Sequence, residues 1–586
     1  MLMFTKHAVL RLATLLLAAL LTAATVAAAA GPALAGVPDT GTYTNPIIPG
    51  FYPDPSVCRV GEDYYLVNSS FEYFPGVPIW HSRDLVNWRQ IGHVLTRRSQ
   101  LDLTDTPCSD GIYAPTLRYH NGVFYMITTL VKNRTYRNFY VTATDPAGTW
   151  SDPVWYDQSG IDPSLFFDTD GKVYFQSNRG MAFAMERAIY QSEIDLKTGK
   201  RLTEPRIIWR GTGGCYVEGP HVYKRDGYYY VLAAEGGTAY GHMVTIARSK
   251  NVWGPYESCP HNPILSNRHA YESIHGTGHG DLVQAADGSW WMVHLAFRKT
   301  IDDIHTLGRE TCLEPVAWRD GWPVVNGNGT SRAVMNVPTL PPQPWPTQPV
   351  RDEFASDTLG LHWIQLRNPH AADYSLTERR GFLRLKGSAL NLFDQASPAF
   401  VARRQRHFEF DATTNLEFAP SGENEEAGLV LLMTNQHHYD FFIGKRGGQR
   451  VLVVTCNLEL IKHVAATILL APGAVQLRIT GTNSHYVFAY SQNGAPFKEV
   501  TRLNTRYLGT EVTNGYNGVI IGMYATGNGQ KSTVPADFAW FDYETPISRP
   551  WSLAQVSTSL PASANSNTCT LRKTPTRFGV RQELPF

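Results

Sequence analysis

Three acidic residues head three recurring segments of this chain: Asp54-Pro55-Ser56, Asp162-Pro163-Ser164 and Glu218-Gly219-Pro220. Asp54 sits between Pro53 and Pro55. Proline fixes its own φ and drives the preceding residue into extended conformations, which predicts a rigidly held carboxylate in an extended stretch. Taken alone, the stretch reads equally as a turn, because Asp beside Pro is common punctuation. A turn role does not need equivalence, however, and the acids recur at equivalent places. Convergent carboxylates bind a hard cation through oxygen or divide acid and base roles across a bond. Two aspartates and one longer glutamate, with the aromatic residues Phe71 and Tyr113 in the same repeats, suit a sugar pocket better than a cation cage. Inverting glycoside hydrolysis uses two carboxyl groups roughly 6.5–9.5 Å apart, which leaves room for water. A third carboxylate beside the acid keeps it protonated, since like charges at close range raise a pKa.

The elements that must position these acids are hairpins recurring at intervals of roughly 50–60 residues. Each has a short apolar strand, a tight turn and an aromatic-rich second strand. They span Val57–Leu66 with its turn at Gly61-Glu62-Asp63, Leu117–Ile127 with Asn121-Gly122, Leu165–Phe175 with Asp170-Gly171, Val222–Val231 with Asp226-Gly227, and Leu282–Val293 with Asp287-Gly288. A sandwich does not normally repeat one composition at near-constant spacing, so the pattern predicts a five-bladed β-propeller. The two remaining segments before a first strand are Ala114-Pro115-Thr116 and His279-Gly280-Asp281. Innermost strands line the axis of a propeller, which brings Asp54, Asp162 and Glu218 to one pocket.

A chain of 586 residues exceeds what one core usually serves, so two domains are expected. Lys+Arg number 52 against Asp+Glu 51, a balance that points away from nucleic acid. Lys6 and Arg11, the apolar run Leu12 to Ala30 and the small exit Ala33-Leu34-Ala35 read as an export signal over residues 1–35, cleaved rather than kept as an anchor. No later stretch is apolar enough to span a bilayer, so the reading is a secreted protein, extracellular or periplasmic, without a membrane partner. The seven cysteines show no C-x-x-C spacing, which argues against a zinc site or a disulfide framework. No pattern speaks to oligomeric state.

The first domain is expected over residues 36–335, and a proline-rich linker over 336–350, where Pro338-Thr339-Leu340-Pro341-Pro342-Gln343-Pro344-Trp345-Pro346 stays extended. Alternating strands then predict a β-sandwich over 351–546, followed by a polar, poorly ordered tail over 547–586. His437-His438 invites a metal reading, but neighbours on a strand point to opposite faces. The fold class is therefore all-β: a five-bladed β-propeller followed by a β-sandwich (jelly-roll) domain.

The ordered series of motifs resembles glycoside hydrolase family 43, the β-xylosidases and α-L-arabinofuranosidases. The similarity rests on Asn45-Pro46-Ile47 with Gly50-Phe51-Tyr52-Pro53-Asp54-Pro55-Ser56, Ser70 to Val77, His81 to Trp88, Asp162 to Phe166, Glu218-Gly219-Pro220-His221, Glu235 to Thr238, Gly278-His279-Gly280 and Leu307-Gly308-Arg309-Glu310. It implies Asp54 as general base, Glu218 as general acid and Asp162 as the residue that tunes and orients Glu218. It also implies that Arg309 contacts sugar hydroxyls beside the cleaved bond. His279 matches a family histidine at the propeller centre that in some members holds calcium, directly or through water. The chemistry itself needs no cofactor, so a structural calcium there is an open expectation, the alternative being a simple pocket histidine. Tyr113 stands where related xylosidases often carry Trp, which bears on which pentose fits. Glu72, Asp84, Asp168, Asp170 and Glu235 are expected to cap turns or form ion pairs.

The activity implied is that of an inverting, exo-acting glycoside hydrolase. Its product is β-D-xylose and/or α-L-arabinofuranose, taken from xylan-, arabinoxylan- or arabinan-derived oligo- or polysaccharide. The alternative is a carbohydrate-binding propeller without catalysis. Another five-bladed family, the fructosidases, usually opens with Asn-Asp-Pro-Asn-Gly, which is absent here. The C-terminal half resembles a concanavalin-like sandwich whose loop closes one wall of the pocket in one branch of the family; a free carbohydrate-binding module is the other reading.

Overall fold

The computed structural model describes residues 41–179, 187–336 and 339–546. The expected export signal and the tail from 547 onward lie outside the described residues. Among the described residues, regular structure is almost wholly β: one short helix, Thr510–Thr513, and two 3-10 turns accompany the strands.

The five predicted hairpins each open a four- or five-stranded antiparallel sheet. Their leading strands are Ser56–Val60, Thr116–His120, Ile161–Phe167, Glu218–Arg225 and Ile274–Gln284. Asn121-Gly122 and Asp226-Gly227 both have positive φ, the pair that a two-residue hairpin loop requires if it is to match strand twist. The first turn is shorter than expected, because Asp63 already pairs with Val60 and only Gly61-Glu62 form the loop.

Leading strands of successive sheets lie against one another in chain order, and the fifth lies against the first. A separate apolar cluster fills each junction. Ile79 and Val94 meet Leu117 and Met126, and Ile127 and Tyr140 meet Leu165 and Phe175. Phe166 and Tyr174 meet Val222 and Val231, and Tyr230 and Leu232 meet Leu282 and Met292. Trp291 and Val293 of the fifth sheet meet Val57 and Leu66 of the first. Full burial of one such side chain contributes about 1.5–3 kcal/mol, so these junctions hold the cyclic arrangement. Thr42–Thr44 pairs with Val334–Asn336 and ties the start of this half to its end.

The proline-rich segment is laid against the first sheet. Gln343 N–H donates to Asp84 Oδ2 at 2.6 Å, and the Trp345 indole donates to the Asn87 carbonyl at 3.1 Å beneath the Arg89 guanidinium. Beyond it, a six-stranded and an eight-stranded antiparallel sheet enclose one core that includes Leu383, Leu431, Phe441, Leu477 and Phe538. Tyr73–Phe74 of the first half pairs with Gln365–Leu366 of the second, so the two halves share a strand ladder.

Candidate active site

Strand register shows how the acids are placed. Ser56, Ser164, His221 and Asp281 hold equivalent positions opposite Val67, Gln176, Leu232 and Val293. Two residues earlier stand Asp54, Asp162, Gly219 and His279, with φ of +53°, +54°, +59° and +47°. In the third, fourth and fifth sheets the pairing skips a residue at this point, a β-bulge of the kind that re-aims a side chain beside a site. Two expectations are corrected here. Asp54 is left-handed rather than extended; Asp tolerates this region better than most residues, and strained backbone clusters at functional sites. Glu218 is not in the position shared by Asp54 and Asp162 but one residue ahead of it. Gly219 takes that position, where a Cβ would come within 3.1 Å of the His279 ring.

The acids share a cavity of about 680 Å³ lined also by Phe71, Tyr113, Ala114, Tyr216, Thr238, His279, Arg309, Asn514 and Tyr516. Asp54 Oδ1 accepts from Arg309 Nη1 at 2.9 Å, its Oδ2 accepts from the Ser69 hydroxyl at 2.5 Å, and His279 Nδ1 lies 3.9 Å from Oδ1. Burial alone would raise this carboxyl; Arg309 foremost, with His279 and Ser69, overrides that and holds it below the usual carboxylate range. Asp162 Oδ2 accepts the Gly219 N–H at 3.0 Å, which fixes the backbone next to Glu218. Burial pushes Asp162 up to about 6, with the Asp54 charge adding to it against the pull of His279. Burial raises Glu218 well above its ordinary value, and the charges of Asp162 and Asp54 raise it further. One cavity thus holds a carboxyl drawn below its ordinary range and another raised above it, the kind of separation a base and an acid require.

Every substrate-facing residue named from the sequence lines this cavity. Phe71 and Tyr113 stand with ring centroids 5.3 Å apart. Arg309 is buried rather than part of a surface ion pair; its Nη1 also donates to Thr238 Oγ1 at 2.9 Å, and its Nε has no hydrogen-bond partner among the described residues.

Sequence reasoning missed Asn514 and Tyr516, which arrive from the sandwich. The Tyr516 ring is 5.8 Å from those of both Phe71 and Tyr113 and lies under the Arg309 guanidinium at 5.4 Å. The loop that carries it is docked at both ends. Glu511 accepts from the His305 N–H at 3.0 Å and from the Tyr240 hydroxyl at 2.7 Å. Tyr516 N–H donates to Ser109 Oγ at 3.0 Å, and Asn517 Nδ2 donates to Glu72 Oε1 at 2.7 Å. Gly518 permits the approach, since a Cβ there would sit 2.5 Å from the Leu307 carbonyl oxygen. The resemblance implies a sandwich loop at one wall of the pocket, and this loop occupies that place, but no motif or spacing marks Asn514 or Tyr516 in the sequence.

The two halves match separate known sequence families: Glycosyl hydrolases family 43 over residues 43–323, and the beta xylosidase C-terminal concanavalin A-like domain over residues 351–544. The chain belongs to glycosyl hydrolase family 43. Among family 43 relatives it is 47% identical, over 86% of this chain and 94% of the relative, to the non-reducing end alpha-L-arabinofuranosidase BoGH43B of Bacteroides ovatus. It is 36% identical to a beta-xylosidase of Bacillus subtilis over 86% of this chain and 99% of that protein. The solved structure of Bacteroides ovatus Xyloglucan PUL GH43B superposes with a TM-score of 0.83 at 46% identity, covering 86% of this chain and 100% of that one.

The acids left out of the family 43 machinery are structural. Glu235 accepts the Thr212 and Gly214 N–H groups, each at 2.8 Å, and Asp84 accepts the Asn87 N–H at 2.7 Å. Asp168 pairs with Lys224 at 2.6 Å and Asp170 accepts the Lys172 N–H at 3.0 Å. His437 and His438 keep separate partners, Thr434 and Asp440. The six described cysteines are free thiols.

Proposed function

We propose that this family 43 member is an exported, exo-acting, inverting glycosidase that releases β-D-xylose and/or α-L-arabinofuranose from xylan-, arabinoxylan- or arabinan-derived chains. In this reading the five sheets are the blades of a five-bladed propeller. The observation that carries the chemistry is the convergence of Asp54, Asp162 and Glu218 in one cavity, with Arg309 on Asp54 at 2.9 Å; the opposite pKa displacements of Asp54 and Glu218 agree with it. Asp54 takes a proton from water as the water oxygen bonds to the anomeric carbon. Glu218 gives its proton to the departing oxygen as the glycosidic bond breaks, so one water is consumed and no cofactor is involved. Arg309 keeps Asp54 ionised, and the aromatic wall of Phe71, Tyr113 and Tyr516 faces the sugar. The non-catalytic propeller gains no support, because all three acids converge and the arabinofuranosidase and xylosidase relatives span nearly their whole length. Export rests on the N-terminal sequence pattern alone. The test is turnover of nitrophenyl β-D-xyloside and nitrophenyl α-L-arabinofuranoside side by side; turnover of neither would overturn the reading.

Calcium is a poor fit to the residues around His279. Calcium takes six to eight oxygen ligands. Here the nearest carboxylate, Asp54, is already paired with Arg309. Deeper among the leading strands, the Arg118 guanidinium donates to both Asp281 oxygens, at 2.8 and 3.2 Å, and to His221 Nδ1 at 2.9 Å. A fixed guanidinium therefore supplies the cation for that cluster. Dialysis against a strong chelator is expected to leave turnover and Tm unchanged, as read by assay and calorimetry before and after calcium is restored.

Two substitutions probe the neighbours of the acid pair. Asp162→Asn removes a charge that raises Glu218, so Glu218 ionises more easily and the alkaline limb of the kcat/KM profile moves to lower pH. Tyr516→Ala takes an aromatic wall from the sugar and is expected to raise KM about tenfold with a folded protein by circular dichroism. An unchanged KM would separate the sandwich from catalysis.

A further inference from the structure

Tyr216 is the most exposed aromatic ring on the cavity, with 44% of its surface accessible. Its backbone is left-handed, φ +54°, a conformation uncommon for a bulky residue and costly to hold. The surrounding structure enforces it. The Gly236 N–H clamps the Cys215 carbonyl at 2.7 Å, and Glu235 anchors Thr212 and Gly214 just upstream. Gly237 lies beside the ring, where a Cβ would stand 3.4 Å from Tyr216 Cδ2. The Arg187 guanidinium covers the ring with its Cζ 4.3 Å from the centroid, and its charge reaches Glu218. A strained, guanidinium-backed aromatic ring two residues from the acid belongs to no core cluster, because nearly half of it is open to solvent.

We infer that Tyr216 and Arg187 form the binding site for the leaving sugar, the ring next to the pentose in an oligosaccharide. The inference rests on the glycosidase reading above and deepens it. The departing oxygen takes its proton from Glu218, so the sugar that bears this oxygen lies on the Glu218 side of the cavity, where the Tyr216 ring is presented. An aromatic ring offers an apolar face to the C–H face of a pyranose, and a guanidinium offers in-plane donors to its hydroxyls. The enzyme therefore selects a saccharide over a small alcohol as leaving group.

The experiment compares kcat/KM for a pentosyl disaccharide with that for the methyl glycoside of the same pentose, whose leaving group is too small to reach Tyr216. In Tyr216→Gly the ratio of disaccharide to methyl glycoside is expected to fall about tenfold. Tm should not fall, because glycine relieves the left-handed strain. Tyr216→Phe should restore the ratio, and Arg187→Ala should lower it. An unchanged ratio in Tyr216→Gly, or equal losses on both substrates with a lowered Tm, overturns the assignment and leaves Tyr216 a structural residue. Failure of the unaltered enzyme on both substrates would instead overturn the glycosidase reading, and the subsite with it.

Discussion

Asp54→Asn is expected to lower kcat on a nitrophenyl pentoside by about 10³-fold or more, since a positioned general base contributes roughly 10²–10⁴-fold. An amide cannot take the proton from water. The fold should persist: Ser69 can still donate to the amide oxygen, and Thr238 still accepts from Arg309. Some stability is lost, because a buried arginine loses its charged partner. That loss should appear as a lower Tm, while circular dichroism stays that of the unaltered protein. Near-normal turnover would remove Asp54 from the mechanism, whatever its pKa. Little turnover with an unfolded spectrum would say nothing of catalysis, so both readings belong to the same experiment.

Glu218→Gln should fail in a different way. Its effect depends on how much the leaving oxygen needs a proton. On a disaccharide, whose leaving alkoxide is strongly basic, the loss should approach about 10⁴-fold. On a dinitrophenyl pentoside, whose leaving group departs as a stable anion, the loss should be far smaller. The alkaline limb of the pH profile should disappear with the acid, because its ionisation is that of Glu218. Stability should hold, since burial and the charges of Asp162 and Asp54 favour the neutral form of Glu218 and glutamine is a neutral side chain of similar shape. Equal losses on both substrates would assign Glu218 to binding or positioning.

Much of this site was legible because its geometry is carried by local pattern. The hairpins announced themselves through Asn-Gly and Asp-Gly turns and alternating apolar strands, and all five open sheets as expected. The convergence of Asp54, Asp162 and Glu218 followed from one repeat, since equivalent strand ends meet at one place; His279 and Arg309 were reached through the family resemblance. The offset of Glu218 did not follow. A bulge adds a residue without changing composition, and Gly219 reads in sequence as an ordinary turn glycine rather than the residue that takes the left-handed position. Asp54 misled for a different reason: the preference of a residue before proline is a local tendency, and the buried setting of this position, with Arg309 and Ser69 on the carboxylate, overrides it. Tyr516 was illegible, as it lies some 460 residues from Asp54 and meets the site through contacts such as Asn517 to Glu72, which no spacing encodes. Tyr216 was hidden beside the motif that names Glu218, because its value lies in exposure and backbone strain.

The central claim is single displacement by water, with Asp54 and Glu218 on opposite sides of the bond. Proton NMR of the first minutes of hydrolysis, before mutarotation mixes the anomers, tests it most directly. The account predicts that the inverted anomer of the released pentose appears first: α-xylose from a β-xyloside, β-arabinose from an α-L-arabinofuranoside. First appearance of the retained anomer would contradict it, because that outcome requires a covalent intermediate that a water-activating Asp54 does not form.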